Sequence, residues 1–342
     1  MLLAFFWVLL AAIMLGFYAF PSKYVKGYGV ENLWGSFWLF AMIIVPVLAS
    51  FILVNGLGET FAQVPSSVFV GIFFLSMLWG IGNLLWGISI SKIGMALGFS
   101  LLIGVATLVG SMLPFFMGNL DQLNTTAGRV IVLGIFIIMG GIVLNGKAGL
   151  LREANADTAS DTSSSKHMKT GIIMCIVGGI CAAGFNLSYH VADTIGQIGR
   201  ISQEQFGNEP WIARLAVMLP SFIGSGVVTV LYFAYKLNQS KSWHKFASPS
   251  SRKNILLIVV MALVYVASLL IYGLGAYSLG ALGTSVGFAV FQTGCIMIAN
   301  ILGLFSGEWT NAGKRSKYFL YSGLLVMTLG ITVIAYGNFI SY

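Results

Sequence analysis

The chain has 342 residues, of which 58% are hydrophobic and 8% charged, with 42 glycines and a formal net charge of +8. A soluble domain carries about 25% charged residues, so this composition excludes a soluble globular fold and points to an all-α polytopic membrane protein. The positive charge lies between apolar runs, where membrane topology and anionic lipid account for it, and it gives no reason to expect a nucleic-acid partner.

A helix needs about 20 apolar residues to cross a hydrocarbon core of ~30 Å. Ten runs qualify, near 2–20, 33–53, 66–90, 95–117, 129–146, 170–190, 211–235, 254–278, 281–306 and 318–340. Lipid offers no partner to a backbone N–H or C=O, so each run is expected to be a helix. The first begins at Leu2 without a basic segment before it and has no clear small-residue cleavage site. It reads as a retained helix rather than a signal peptide. Cys175, Cys181 and Cys295 lie inside spans without metal-ligand spacing, and free thiols are expected.

Several features recur in the same order along the chain. Glu31-Asn32-Leu33-Trp34 opens the second span, which contains Pro46; Asn208-Glu209-Pro210-Trp211 opens the seventh, which contains Pro220. Gly87 and Gly94, where span three passes into four, return at the same spacing as Gly273 and Gly280, where eight passes into nine. Ala127-Gly128-Arg129 follows span four and Ala312-Gly313-Lys314 follows span nine. Matches in register imply a duplicated unit. Between the copies, residues 155–165 are polar and small, too poor in apolar groups to fold. The expected organisation is a first five-helix repeat over 1–149, a cytoplasmic linker over 150–169 and a second repeat over 170–342. An odd number of spans per repeat inverts the second copy. Inverted repeats are the architecture of secondary transporters, whose substrate site lies near the bilayer midplane.

Charge gives the orientation. With the connections numbered in order, all 18 Lys and Arg except Arg129, Arg200 and Arg214 fall in odd ones. Basic flanks stay on the cytoplasmic side, so the odd loops read as cytoplasmic and both termini as outside.

Polar side chains inside spans are expensive and therefore candidates for function. Asn83 lies one helical turn from both Trp79 and Trp86, so the three share a face. An indole beside an amide suits a sugar, whose apolar face stacks and whose hydroxyls need donors and acceptors. Belt tryptophans around an interhelical Asn are the bland alternative. Asn186, Tyr189, His190 and Asp193 follow i, i+3, i+4, i+7 at the end of span six. His190 with Asp193 is a candidate proton relay, since an imidazole exchanges protons near neutral pH; an exposed interfacial pair is the competing reading. Tyr272 in span eight and Gln292 and Asn300 on one face of span nine complete the candidate substrate-binding set. Arg214, just inside the outer end of span seven, could bind an anionic group but reads most simply as snorkelling to the interface. No carboxylate falls at the centre of a span.

The sequence lacks a His-Glu-x-x-His metal motif, a Gly-x-Ser-x-Gly elbow and a Gly-Lys-Ser/Thr phosphate loop. The expectation is a transporter, not an enzyme, with no cofactor and no ATP as energy source. The oligomeric state is left open.

Two stretches carry a resemblance to a known family. They are Met77-Leu78-Trp79-Gly80-Ile81-Gly82-Asn83, running on to Gly87 and Gly94-Met95, and Glu308-Trp309-Thr310-Asn311-Ala312-Gly313-Lys314-Arg315. Phe17-Tyr18-Ala19 before a basic loop is similar too. Over essentially its whole length the chain resembles the bacterial L-rhamnose–proton symporters of the drug/metabolite transporter superfamily. The resemblance implies ten helices in two inverted repeats and uptake of a sugar with a proton across the bacterial inner membrane. The chain departs from it at Leu279–Gly287, which carries no acid, and in having His190 and Asp193 in span six. The alternatives are an exporter of a small metabolite or amphiphilic cation, and a membrane sugar sensor that does not transport.

Overall fold

The structure, a computed structural model, describes residues 2–93, 95–117, 120–156, 165–307 and 309–341. Gly94, Glu308 and the 157–164 part of the expected linker lie outside the described residues. Among the described residues all regular structure is helical. The helices are α1 (Leu2–Phe17), α2 (Val30–Leu39), α3 (Val45–Leu53), α4 (Leu57–Ala62), α5 (Ser66–Ile93), α6 (Met95–Phe116) and α7 (Thr126–Ala156). They continue with α8 (Ser165–Ala182), α9 (Gly184–His190), α10 (Ile198–Phe206), α11 (Pro210–Gln239), α12 (Ser251–Ser278), α13 (Gly283–Phe305) and α14 (Lys314–Phe339).

Nine helical stretches among the described residues are long and apolar enough to cross a membrane, from Leu2–Tyr24 to Lys314–Phe339. They fall on nine of the ten expected spans. The other expected span, 95–117, falls on α6, where the apolar stretch Ser100–Phe116 is shorter. The chain is thus a multi-pass helical membrane protein. Two short helices, α4 and α10, lie in connections between expected spans.

Two spans contain a widened turn. Between α2 and α3 the stretch Phe40–Ile44 is a π turn, with the Val45 N–H donating to the Phe40 carbonyl. Pro46 follows at once. Proline brings no N–H and its ring crowds the carbonyl four residues back, so the wider turn absorbs what an α-helix could not. The second π turn, Val191–Ile195, continues α9 and carries Asp193. It has no proline, and π turns of that kind concentrate at functional sites.

The chain forms two compact units, each drawing on segments from both sides of 150–169. The first comprises Met1–Ala12, Gly82–Ala183 and Gly275–Tyr342. Its backbone is the antiparallel pair α7 and α14, which meet along a seam of small residues one heptad apart. The Ser316 hydroxyl donates to the Ala148 carbonyl at 2.6 Å. A Cβ placed on Gly323 would lie 2.9 Å from the Gly141 oxygen, one on Gly330 3.0 Å from that of Gly134, and one on Gly337 3.2 Å from that of Ala127. Lipid supplies no hydrophobic drive between helices, so close backbone approach through small residues is what holds such a pair.

The second unit comprises Ile13–Ile81 and Gly184–Leu274. Tyr18, Phe37, Trp38 and Tyr265 pack ring against ring, with centroids 5.0 Å apart for Phe37–Trp38 and 5.1 Å for Tyr18–Tyr265. Asn208 ties the connections bearing α4 and α10 together. Its Oδ1 accepts from the Asn55 N–H at 3.0 Å, and its Nδ2 donates to the Asn55 carbonyl at 2.8 Å and to Ser202 Oγ at 3.0 Å. Because Asn208 is buried, Asn208→Ala strands several polar groups, each costing about 1–3 kcal/mol when left unpaired. Thermal unfolding in detergent should show a clearly lowered midpoint; an unaltered one would contradict this role.

Candidate functional site

Within the second unit, α9 is buried along its whole length. Gly184 begins it, at a point where a Cβ would press on the Leu75 carbonyl of α5 and lie 3.1 Å from the Trp79 amide. That approach brings Phe185 against Trp79, with centroids 4.7 Å apart. Phe185 in turn packs on Tyr272 at 5.7 Å, and Tyr272 faces Tyr189 at 6.1 Å. The result is a chain of aromatic rings threaded with polar atoms. The Tyr272 hydroxyl donates to Asn186 Oδ1, and the Tyr189 hydroxyl donates to the Gly273 carbonyl at 2.9 Å. Asn186 and Tyr272 are wholly buried and Trp79 and Tyr189 nearly so.

At the far end of this chain stands an ion pair. Arg214 Nη1 of α11 donates to Asp193 Oδ1 at 2.6 Å and to the Tyr189 hydroxyl at 3.2 Å. Its Nε reaches the Pro210 carbonyl at 3.4 Å. The Arg214 side chain is 0% exposed and that of Asp193 16%. Gly199 of α10 closes over the pair: a Cβ there would sit 2.6 Å from Asp193 Oδ1 and 2.8 Å from the guanidinium carbon. The chain enters α10 through Gln197, which holds a left-handed φ of 50°.

The expected stripe of span six is therefore present, but its chemistry is redistributed. Asp193 receives Arg214, with the Tyr189 hydroxyl 3.4 Å from its second oxygen. His190 is buried, with Nδ1 3.4 Å from Thr194 Oγ1 one turn on. Arg214 does not snorkel. Its neighbours Ala213, Leu215, Ala216 and Val217 are all buried, and a guanidinium on that helix reaches a carboxylate rather than water. The sequence held a signal for this: Arg214 is one of only three basic residues that break the loop rule, and it shares its end of the membrane, in that topology, with Asp193 at the end of span six.

The remaining expected residues belong to the first unit. Asn83 is half-buried, and its Nδ2 is buried with no hydrogen-bond partner among the described residues. Trp86 packs against the core of Ile93, Leu102 and Cys175. Asn300 spends its Nδ2 on the Ile296 carbonyl of its own helix at 2.9 Å, and Gln292 is half-buried. So Trp79, Asn186, Tyr189, Tyr272, His190 and Asp193 are gathered in the second unit, while Asn83, Trp86, Gln292 and Asn300 lie in the first.

The family model for L-rhamnose-proton symport proteins matches residues 1–339. The chain belongs to that family. Among its relatives are the L-rhamnose-proton symporters of Escherichia coli O1:K1 / APEC and of Shigella boydii serotype 18. Each is 26% identical to this chain over 343 residues, covering 97% of this chain and 96% of theirs. The family is one of transporters, not enzymes, and the match runs through both units and all the residues above.

Proposed function

We propose that this protein is a secondary carrier that takes up L-rhamnose or a related sugar together with a proton, by alternating access in the bacterial inner membrane. The observation that carries this reading is the buried run of Trp79, Asn186, Tyr189 and Tyr272 in a chain matched by the symporter family from end to end. Rings offer stacking to an apolar sugar face, and amide and phenol groups offer alternating donors and acceptors to its hydroxyls. Asp193, beside Arg214, and His190 are the proton-coupling candidates. Asn83, Trp86, Gln292 and Asn300 form a second set of the same chemistry.

The architecture we assign is ten spans in two inverted five-helix repeats, 1–149 and 170–342, with α6 as the fourth span. The seam between α7 and α14 supports it. In that seam the closing helix of one half meets the closing helix of the other in opposed directions, with small residues recurring at the same heptad spacing. The basic loops then face the cytoplasm and both termini face out.

Asn83 offers the plainest test. Its buried amide donor has no acceptor among the described residues, as expected of a group that waits for a substrate oxygen. Asn83→Ala should abolish uptake of radiolabelled L-rhamnose while the protein reaches the membrane in normal amount. Uptake at the wild-type rate would remove Asn83 from the site.

A further inference from the structure

The second unit holds a cavity of about 310 Å³ between α2 and α11, at the opposite end of α11 from Arg214. Val30 opens the span Val30–Leu53 and Gln239 closes the span Pro210–Gln239, so the cavity sits where the chain leaves hydrocarbon for water. It is closed one turn deeper, where a Cβ on Gly35 would lie 3.1 Å from Phe233 Cβ. Part of its wall is apolar, made by Val30, Tyr232 and Phe233. Val30 is 70% exposed, and Leu231 and Tyr235 beside it on α11 are exposed as well, as side chains that meet lipid and its interface are. The rest of the wall carries opposite charges, Glu31 in the first turn of α2 and Lys236 in the last turn of α11.

Each charge is held by its own neighbours. The Glu31 carboxylate folds back over the start of α2, where a Cβ on Gly29 would lie 2.9 Å from its Oε1, and Ser240, Ser242 and Lys245 stand around it. Asn32 fixes the loop that bears these serines, its Nδ2 donating to the Ser242 carbonyl at 3.0 Å. Lys236 Nζ donates to Gln239 Oε1 at 2.8 Å and lies 6.0 Å from the centre of the Tyr232 ring. An ammonium has three donors and a carboxylate about four acceptor positions, so both keep capacity toward the cavity. The complementary ligand carries a phosphate for Lys236 and the Gln239 amide, a primary ammonium for Glu31 and an apolar body for Val30, Tyr232 and Phe233. We propose that this cavity binds the headgroup of an aminophospholipid, phosphatidylethanolamine, from the leaflet on the side of the basic loops. The site depends on the chain's spanning a bilayer and not on which solute it carries.

The test is native mass spectrometry of the intact protein in detergent with phosphatidylethanolamine, phosphatidylcholine or phosphatidylglycerol of matched acyl chains, on wild type, Lys236→Gln and Glu31→Gln. Wild type should hold its first phosphatidylethanolamine about tenfold more tightly than either other lipid, the size of one charge-assisted hydrogen bond. Phosphatidylcholine has no N–H to donate, and phosphatidylglycerol has no cation. Lys236→Gln should weaken all three lipids alike, since all three carry the phosphate. Glu31→Gln should erase the preference for the ethanolamine headgroup and leave phosphatidylcholine as it was. Equal retention of the three lipids by wild type, or an undiminished preference in Glu31→Gln, would overturn the proposal. Displacement of the lipid by equimolar O-phosphoethanolamine would overturn the lipid assignment, because the apolar wall would then contribute nothing. If Glu31→Gln does not fold, Lys236→Gln decides: phosphatidylethanolamine should raise the unfolding midpoint of wild type and not of this variant, and an equal rise in both would overturn the site.

Discussion

Arg214→Ala is expected to lower the unfolding stability by about 3–5 kcal/mol, the usual consequence of leaving one member of a buried ion pair alone. Solvent cannot soften the loss, because the Arg214 side chain is 0% exposed and that of Asp193 only 16%. The damage spreads along the hydrogen bonds: Tyr189 loses the donor at 3.2 Å and Asp193 the one at 2.6 Å. The cost belongs to the orphaned carboxylate rather than to the missing arginine. Asp193→Asn in the Arg214→Ala background should therefore restore most of the stability, whereas independent losses would add. A denaturation series in detergent on the two single variants and the double measures this coupling directly. Additive losses would contradict the pairing.

The second large effect separates two adjacent glycines of α7. Gly141→Leu should cost about 3 kcal/mol, at the upper end for overpacking, because its Cβ would meet backbone, the Met327 amide at 2.8 Å and the Gly323 oxygen at 3.0 Å. Backbone on a partner helix cannot rotate aside as a side chain can, so the two helices must part. At Gly140, one residue away, a Cβ meets nothing within 4 Å among the described residues, so Gly140→Leu should leave the unfolding midpoint unaltered. Leucine also forms helix better than glycine, so any change at 140 should be slightly favourable. Equal losses at both positions would mean that α7 and α14 do not share this seam.

Much of this fold is legible in the sequence because the bilayer leaves so few options. Long apolar runs must be helices, and the spans were readable to within a few residues at most ends. Two things resisted. The π turn at Phe40–Ile44 depends on how the helix accommodates Pro46, and periodicity alone cannot distinguish a kink from a widened turn. The short helices α4 and α10 lack the apolar length that marks a span, and they are fixed by tertiary bonds such as those of Asn208. The small residues Ala127, Gly134, Gly141 and Ala148, and Ser316, Gly323, Gly330 and Gly337, recur at seven-residue spacing in the sequence, but which helix each row meets is a long-range matter that spacing does not decide.

The site was legible in part for a related reason. The stripe Asn186, Tyr189, His190, Asp193 follows from helical spacing, and Trp79 and Tyr272 from the cost of polar or amphipathic groups in lipid. Which partner Asp193 takes is a long-range question. Spacing favoured His190, its neighbour in sequence, over Arg214 on another helix. The guanidinium wins because it is a permanent cation whose burial requires a counter-ion, whereas a neutral imidazole can be buried with an ordinary hydrogen bond.

In the proposed cycle a sugar and a proton enter together, and the direct readout is the external pH when L-rhamnose, then other sugars, are added to de-energised cells expressing the protein. Prompt alkalinisation on adding one of the sugars, absent in cells without the protein, is the predicted result. A constant external pH while radiolabelled sugar still enters would contradict proton coupling, and with it the role proposed for His190 and Asp193.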